Sequence, residues 1–140
     1  MKRLQRIQKI YELRVEIARR ETGAAREARL TLEGDHAQMG ETLNAELDGC
    51  DSIERAPFDF AARYYRASVD RMRVKAEEIA EAVQDELASS EILRQRYKEQ
   101  KEFGVYAARR ESAHEEEIRR KTNEEARRFF DGGPDGFAAE

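Results

Sequence analysis

The sequence predicts an all-α fold, an antiparallel two-helix coiled-coil hairpin with a longer second helix. Charged residues make up 40% of the 140 residues, against roughly 25% in an ordinary globular protein. Apolar residues recur at helical spacing over two long stretches, which is typical of amphipathic helices. A short segment containing Gly49 and Pro57 interrupts this spacing and indicates a turn.

The first helix is expected to span residues 4–47. Its apolar positions recur about every 3.7 residues when the charged gaps at Arg20 and Asp35 are counted as skipped turns. Gly23, Gly34 and Gly40 weaken such a helix by about 1 kcal/mol each, so it needs a packing partner. The apolar positions are Ile10, Leu13, Ile17, Ala24, Ala28, Leu32, Met39, Leu43 and Leu47.

A turn is predicted at residues 48–57 and a second helix at residues 58–130. Gly49 is a C-terminal stop signal, and Pro57 suits the first turn of a helix, where its missing N–H costs nothing. A seven-residue repeat then predicts two seam positions. The first holds Tyr65, Met72, Ile79 and Leu93, with Glu86 as the exception, and the second holds Val69, Ala76, Val83, Ser90 and Tyr97. The glycine-rich tail, residues 131–140, is expected to be disordered.

Residues 1–130 therefore form a single predicted hairpin, because two helices joined by a short loop fold back antiparallel. A turn centred near Ser52 also predicts the register. About 30 residues at the end of the second helix should overhang without a partner in the first. The predicted pairs are Ala24 with Ala80, Ala28 with Ala76, and Gly40 with Tyr65.

The sequence contains no nucleotide-binding, zinc-protease or paired-cysteine motif. His36 and His114 stand 78 residues apart without partners at metal-ligand spacing, and Cys50 has no candidate base. We therefore expect no catalytic residue, cofactor or metal, and no enzymatic activity. The net charge of −4 disfavours nucleic acid as a partner. No run of about 18 apolar residues predicts membrane insertion, and no signal peptide is recognised, so a cytoplasmic location is expected.

Two groups of residues are candidates for protein binding. Phe58, Phe60 and Tyr64 cluster after the turn, where they either pack locally or anchor a partner. At the open end of the hairpin, the cations Lys2, Arg3 and Arg6 are expected near Phe103 and Tyr106. Residues 1–20 carry seven Lys or Arg and two Glu, whereas residues 33–60 carry eight Asp or Glu and one Arg. This asymmetry is either a chance fluctuation or a sign that the two ends meet different partners.

Three features carry a family resemblance: the opening segment KRLQRI at residues 2–7, the turn near residue 50, and ILRQRYKEQKE at residues 92–102 of a longer, Glu/Arg-rich second helix. With these features the chain resembles the FliJ family of flagellar export proteins and its injectisome relatives of the YscO type. The resemblance implies an axle-like stalk that binds the export ATPase ring, contacts the export gate and handles export chaperones. It implies no role for any individual residue.

Two other functions stay open from the sequence. The chain could be a generic coiled-coil adaptor or assembly protein unrelated to export, or a helical protein that binds nucleic acid through its basic end. The acidic total disfavours the second of these. Weak homodimerisation through Leu87 and Ile92 is a further expectation.

Overall fold

The computed structural model describes the backbone of residues 2–51 and 58–138, and the side chains of residues 2–49 and 60–131. Every described residue lies in one of two α-helices. Helix α1 is Lys2–Asp51 and helix α2 is Phe58–Ala138. The two helices pack against each other and the second is the longer, which confirms the predicted fold class.

The helix bounds agree with the prediction at one end and differ at three others. Helix α2 begins at Phe58, as predicted, but α1 starts at Lys2 and continues through Gly49 to Asp51. No described glycine has a positive φ, so Gly49 does not form the left-handed cap that would end a helix. The other predicted turn residues, 52–57, lie outside the described residues. Helical backbone runs to Ala138, which differs from the disordered tail expected at 131–140; residues 139–140 are also not described.

The chain divides into two compact units. The central unit is Arg14–Arg96, and the terminal unit combines Met1–Leu13 with Tyr97–Glu140. Each contains a segment of both helices.

The core of the central unit is a narrow seam between α1 and α2. Its positions recur at alternating steps of three and four residues, the seven-residue repeat of a coiled coil, except that Leu47 follows Leu43 by a further step of four. In α1 they are Val15, Ala18, Thr22, Ala25, Arg29, Leu32, His36, Met39, Leu43 and Leu47. In α2 they are Ser68, Met72, Lys75, Ile79, Ala82, Glu86, Ser89, Leu93 and Arg96.

Part of the predicted α1 seam is wrong. Leu32, Met39, Leu43 and Leu47 are confirmed because all of them are buried or half-buried. The other five predicted positions are exposed, since polar residues such as Thr22, Arg29 and His36 occupy the seam in their place. Those exposed positions are Ile10, Leu13, Ile17, Ala24 and Ala28.

In α2 the first predicted seam position is confirmed at Met72, Ile79 and Leu93, whereas Tyr65 is exposed. The second predicted position lies one residue too late along the chain. The structure buries Ser68 and Ala82 and half-buries Lys75, Ser89 and Arg96. Of the predicted residues at that position, Val83 is half-buried, and the others are exposed: Val69, Ala76, Ser90 and Tyr97.

The register of the central unit differs from the prediction by one heptad near Gly40. A Cβ placed on Gly40 would lie 3.4 Å from Cε of Met72, whereas the prediction put Tyr65 there, seven residues earlier. A shift of seven residues returns the same face of α2 to α1. The hydrophobic pattern therefore does not distinguish the two registers. With this shift, Ala24 no longer lies opposite Ala80, and Ala28 no longer lies opposite Ala76. All four of these alanines are exposed.

Gly34→Ala should stabilise the chain by about 1 kcal/mol, the difference in helix propensity between glycine and alanine. Gly34 is exposed within α1, and a Cβ added there would meet no atom within 4 Å. Urea unfolding followed by circular dichroism measures the change. An unchanged or lower midpoint would mean that this part of α1 is not helical in solution.

Candidate protein-binding surfaces

An aromatic cluster joins the two helical segments of the terminal unit. The rings of Tyr11 and Phe103 stack with centroids 5.0 Å apart, and Tyr106 follows at 6.0 Å from Phe103. Ala107, the residue after Tyr106 in the sequence, is buried. The cluster therefore holds the start of α1 against α2, with Phe103 at its centre.

A groove of about 540 Å³ lies next to this cluster. Its lining is mixed: Leu4, Ile7 and Ala113 are apolar, whereas Arg3 and Arg110 carry positive charge and Glu117 carries negative charge. Phe103, Tyr106 and His114 complete the lining. The groove therefore combines aliphatic and aromatic contacts with a small excess of positive charge, a composition that suits a protein partner.

The structure brings together three of the five residues predicted for the open end. Arg3, Phe103 and Tyr106 line the groove, whereas Lys2 and Arg6 are exposed and are not part of its lining. Leu4 and Tyr11 were not among the predicted binding residues. Their seven-residue spacing in α1 is the signal that could have placed them on one face.

The predicted overhang begins later than expected. Residues 101–130 were predicted to lack a partner in the first helix, yet Phe103 stacks on Tyr11 and Glu117 lines a groove with Leu4. The register explains this correction, because α1 reaches residues of α2 that lie further along the chain than predicted.

The segment that follows, residues 118–131 of α2, is exposed at every position. It includes apolar side chains: Phe129 is 80% exposed and Phe130 is 72% exposed, and their rings make an edge contact at 6.2 Å. Ile118 is also exposed. Near the start of the segment, Lys121 and Glu117 form an ion pair at 3.5 Å.

Comparison of the chain with protein-family models, with curated proteins and with solved structures gives no match. The candidate surfaces therefore rest on the geometry of the described residues.

The aromatic residues near the predicted turn separate into two kinds. The Tyr64 hydroxyl donates a hydrogen bond to the Glu46 carboxylate, which raises the pKa of Tyr64 above its ordinary value. This bond joins Tyr64 of α2 to α1, which agrees with local packing, one of the two alternatives that the sequence left open. Phe60 is exposed and stays a candidate anchor, whereas the Phe58 side chain is not among those described.

A second groove lies beside Tyr64 in the central unit. Met39, Leu43 and Met72 supply its apolar lining, and Asp35 and Arg71 are among its polar residues. Besides seam residues, the lining includes residues that directly precede a seam residue, namely Asp35, Gln38, Thr42 and Arg71. Arg71 donates a hydrogen bond to the Ser68 hydroxyl at 3.2 Å, so part of this polar surface is already engaged within the chain.

A charged cluster interrupts the apolar seam of the central unit. Arg29 donates hydrogen bonds to Glu86 on α2 and to both carboxylate oxygens of Glu33, at 3.0 and 3.1 Å. These bonds raise the pKa of Arg29 above its ordinary value. The sequence showed only that Glu86 breaks the heptad. It did not indicate that Arg29 would lie opposite.

The histidines fall in different surroundings. His36 is half-buried at a seam position of the central unit, and His114 lines the groove of the terminal unit. Within the part of the chain that the structure describes, no group of three or more His, Cys, Asp or Glu could hold a metal ion. Neither described helix segment is apolar over a length sufficient to cross a membrane. The Cys50 side chain lies outside the described residues.

Proposed function

We propose that the chain is a cytoplasmic coiled-coil stalk protein of a flagellar or injectisome type III export apparatus. In this role it binds the export ATPase ring and contacts the export gate and export chaperones. The resemblance at residues 2–7 and 92–102 supports the family. The observation that carries the proposal is the fully exposed segment 118–131 at the end of α2.

This segment has the properties of a helix that is completed by a partner. A lone helix of this length is marginally stable in water. Burial of the exposed Phe129 and Phe130 side chains against a partner would be favourable. Residues 118–131 carry five Arg or Lys and three Asp or Glu, so a channel that receives them must accommodate both signs of charge. The lining of a protein ring offers that combination of apolar and polar contacts.

The start of α1 adds a second set of contacts to the proposed interface. Lys2, Arg3 and Arg6 are exposed, and Arg3 lines the groove with Phe103 and Tyr106. Exposed cations of this kind mainly accelerate and orient docking, whereas aromatic side chains that become buried supply affinity.

Truncation after Glu117 should leave the rest of the chain folded and abolish stimulation of the ATPase ring. The truncated chain keeps Tyr11, Phe103 and the lining of the terminal groove, so its thermal midpoint should match that of the full chain. The measurement is ATP hydrolysis by a purified export ATPase ring with each form of the stalk added.

A full-length variant with Phe129→Ala and Phe130→Ala separates the role of the rings from the role of helix length. It should stimulate the ATPase less than the full chain, whereas Thr122→Ala, a change at another exposed position of the same segment, should not. Full stimulation by the truncated chain would contradict the stalk proposal. A coiled-coil adaptor or assembly role unrelated to export would then take its place.

A further inference from the structure

One side of the central unit is apolar on α2. Val69, Ala76 and Val83 each follow a seam residue, and they recur every seven residues. One residue corresponds to about 100° around a helix, so these three side chains form a line that flanks the seam. Val69 and Ala76 are exposed, and Val83 is half-buried.

A second line runs parallel to the first, further from the seam. Ala80 and Leu87 follow the other set of seam residues, and both are exposed, Leu87 by 58%. From residue 69 to residue 87, the only charged residue on either line is Arg73. These lines are therefore less charged than the chain as a whole, in which 40% of the residues are charged.

Helix α1 extends the same surface. Leu30 and Ala37 follow the seam residues Arg29 and His36, and both are exposed. The residues that precede the seam in the two helices, such as Thr42 and Arg71, line one common groove. The residues that follow the seam must therefore share the opposite side. We call Leu30, Ala37, Val69, Ala76, Ala80 and Leu87 the apolar side.

Arginines border the apolar side. Arg26 on α1 and Arg66, Arg73 and Arg94 on α2 occupy the same helical lines, and all four are exposed. Arg73 lies 3.7 Å from the exposed carboxylate of Asp70. Between residues 23 and 47 of α1, these lines contain one acidic residue, Glu33. It already accepts hydrogen bonds from Arg29. Positive charge therefore predominates on these lines, although the whole chain is acidic.

We propose that the apolar side docks an amphipathic helix of another protein, with small or aliphatic residues along one stripe and Asp or Glu on its flanks. A third helix laid along residues 69–87 would contact about 27 Å of α2. The alanines allow the helix axes to approach closely, and the arginines favour acidic flanks. This surface lies apart from residues 118–131 in the sequence, and the proposal does not depend on the export role.

The apolar side is less suited to binding a second copy of the chain. A symmetric dimer through this surface would place the same residues on both sides of the interface. Arg66, Arg73 and Arg94 of one copy would then meet a border of like charge, which opposes association.

Two labelled peptides of about 20 residues test the proposal. Both carry one stripe of Leu and Ala, and their flanks are all Glu in one peptide and all Lys in the other. Fluorescence anisotropy with the full chain at low salt should show binding of the Glu peptide at least about tenfold tighter than binding of the Lys peptide. Equal binding of the two peptides, or no binding of either, would overturn the proposal.

Ala80→Glu and Ala88→Glu are matched variants for the same assay. Both alanines are exposed on α2 of the central unit, but Ala88 precedes a seam residue and so lies away from the apolar side. Ala80→Glu should weaken binding of the Glu peptide about tenfold, whereas Ala88→Glu should change it less than about twofold. Equal losses in the two variants would contradict the proposal. So would sedimentation that shows a dimer which Ala80→Glu dissociates, because the occupant would then be a second copy.

Discussion

Leu43→Ala should lower the free energy of unfolding by about 2–3 kcal/mol, near the low end of the range for buried leucines because the core is only two helices thick. Leu43 is 8% exposed and lies in the seam of the central unit. The substitution removes the apolar contacts of the side chain and leaves a cavity that a narrow seam only partly closes.

Leu13→Ala is the matched control, since it removes the same atoms from the same helix. Leu13 is 60% exposed, so its replacement should change the free energy of unfolding by less than about 0.5 kcal/mol. Urea unfolding at equilibrium measures both variants. Equal losses would show that Leu13 also lies in a packed seam, as the sequence prediction had it.

The general architecture could be predicted because it depends on features that the sequence displays directly. Long stretches at helical spacing predict two helices, and Pro57 marks the start of α2 at Phe58. The end of α1 could not be predicted as well. Gly49 is a common stop signal, but glycine is also tolerated inside a helix at a cost of about 1 kcal/mol.

The seam was misassigned in α1 because the prediction followed apolar residues alone. Ile10, Leu13 and Ile17 keep a helical period among themselves, but all three are exposed. Thr22 and Arg29 take seam positions instead. A long polar side chain such as Arg29 can bury its aliphatic part and direct its charge to a partner. Such a seam position can be recognised from the sequence only when the residue that lies opposite it on the other helix is known.

The candidate binding residues were predicted in part for the same reason. Basic residues at the start of the sequence and aromatic residues predicted for the open end of the hairpin indicated Arg3, Phe103 and Tyr106, which the structure places around one groove. Tyr11 was missed because its role depends on which residue of α2 lies opposite, and that depends on the register. The roles of these residues in binding, and the absence of enzymatic activity, stay predictions.

Glu86→Arg should strongly destabilise the central unit. Arg29 donates to Glu86 across the seam, and the two side chains are only 22% and 21% exposed. The substitution would place two guanidinium groups together where water screens them weakly. We expect a large fall in the thermal midpoint measured by circular dichroism.

Arg29→Glu combined with Glu86→Arg should recover much of this loss, because the reversed pair can again form an ion pair across the seam. The recovery should be incomplete, since the new carboxylate at position 29 would lie one helical turn from Glu33, and like charges at that spacing repel. The control is Lys121→Glu, which breaks the exposed pair with Glu117 and should hardly change the midpoint.

The result bears on the register, which the apolar pattern leaves open. If α2 were shifted by one heptad, Arg29 would lie near Ile79, and Glu86 would lie near Thr22. Each charge would then be left without its partner in a half-buried seam, at a considerable cost in free energy. The Arg29–Glu86 pair therefore selects one register among those that bury the same faces, as a polar pair does in other coiled coils. Equal midpoints for the single and double variants would show that the two residues are not opposite each other, and that the chain adopts a different register.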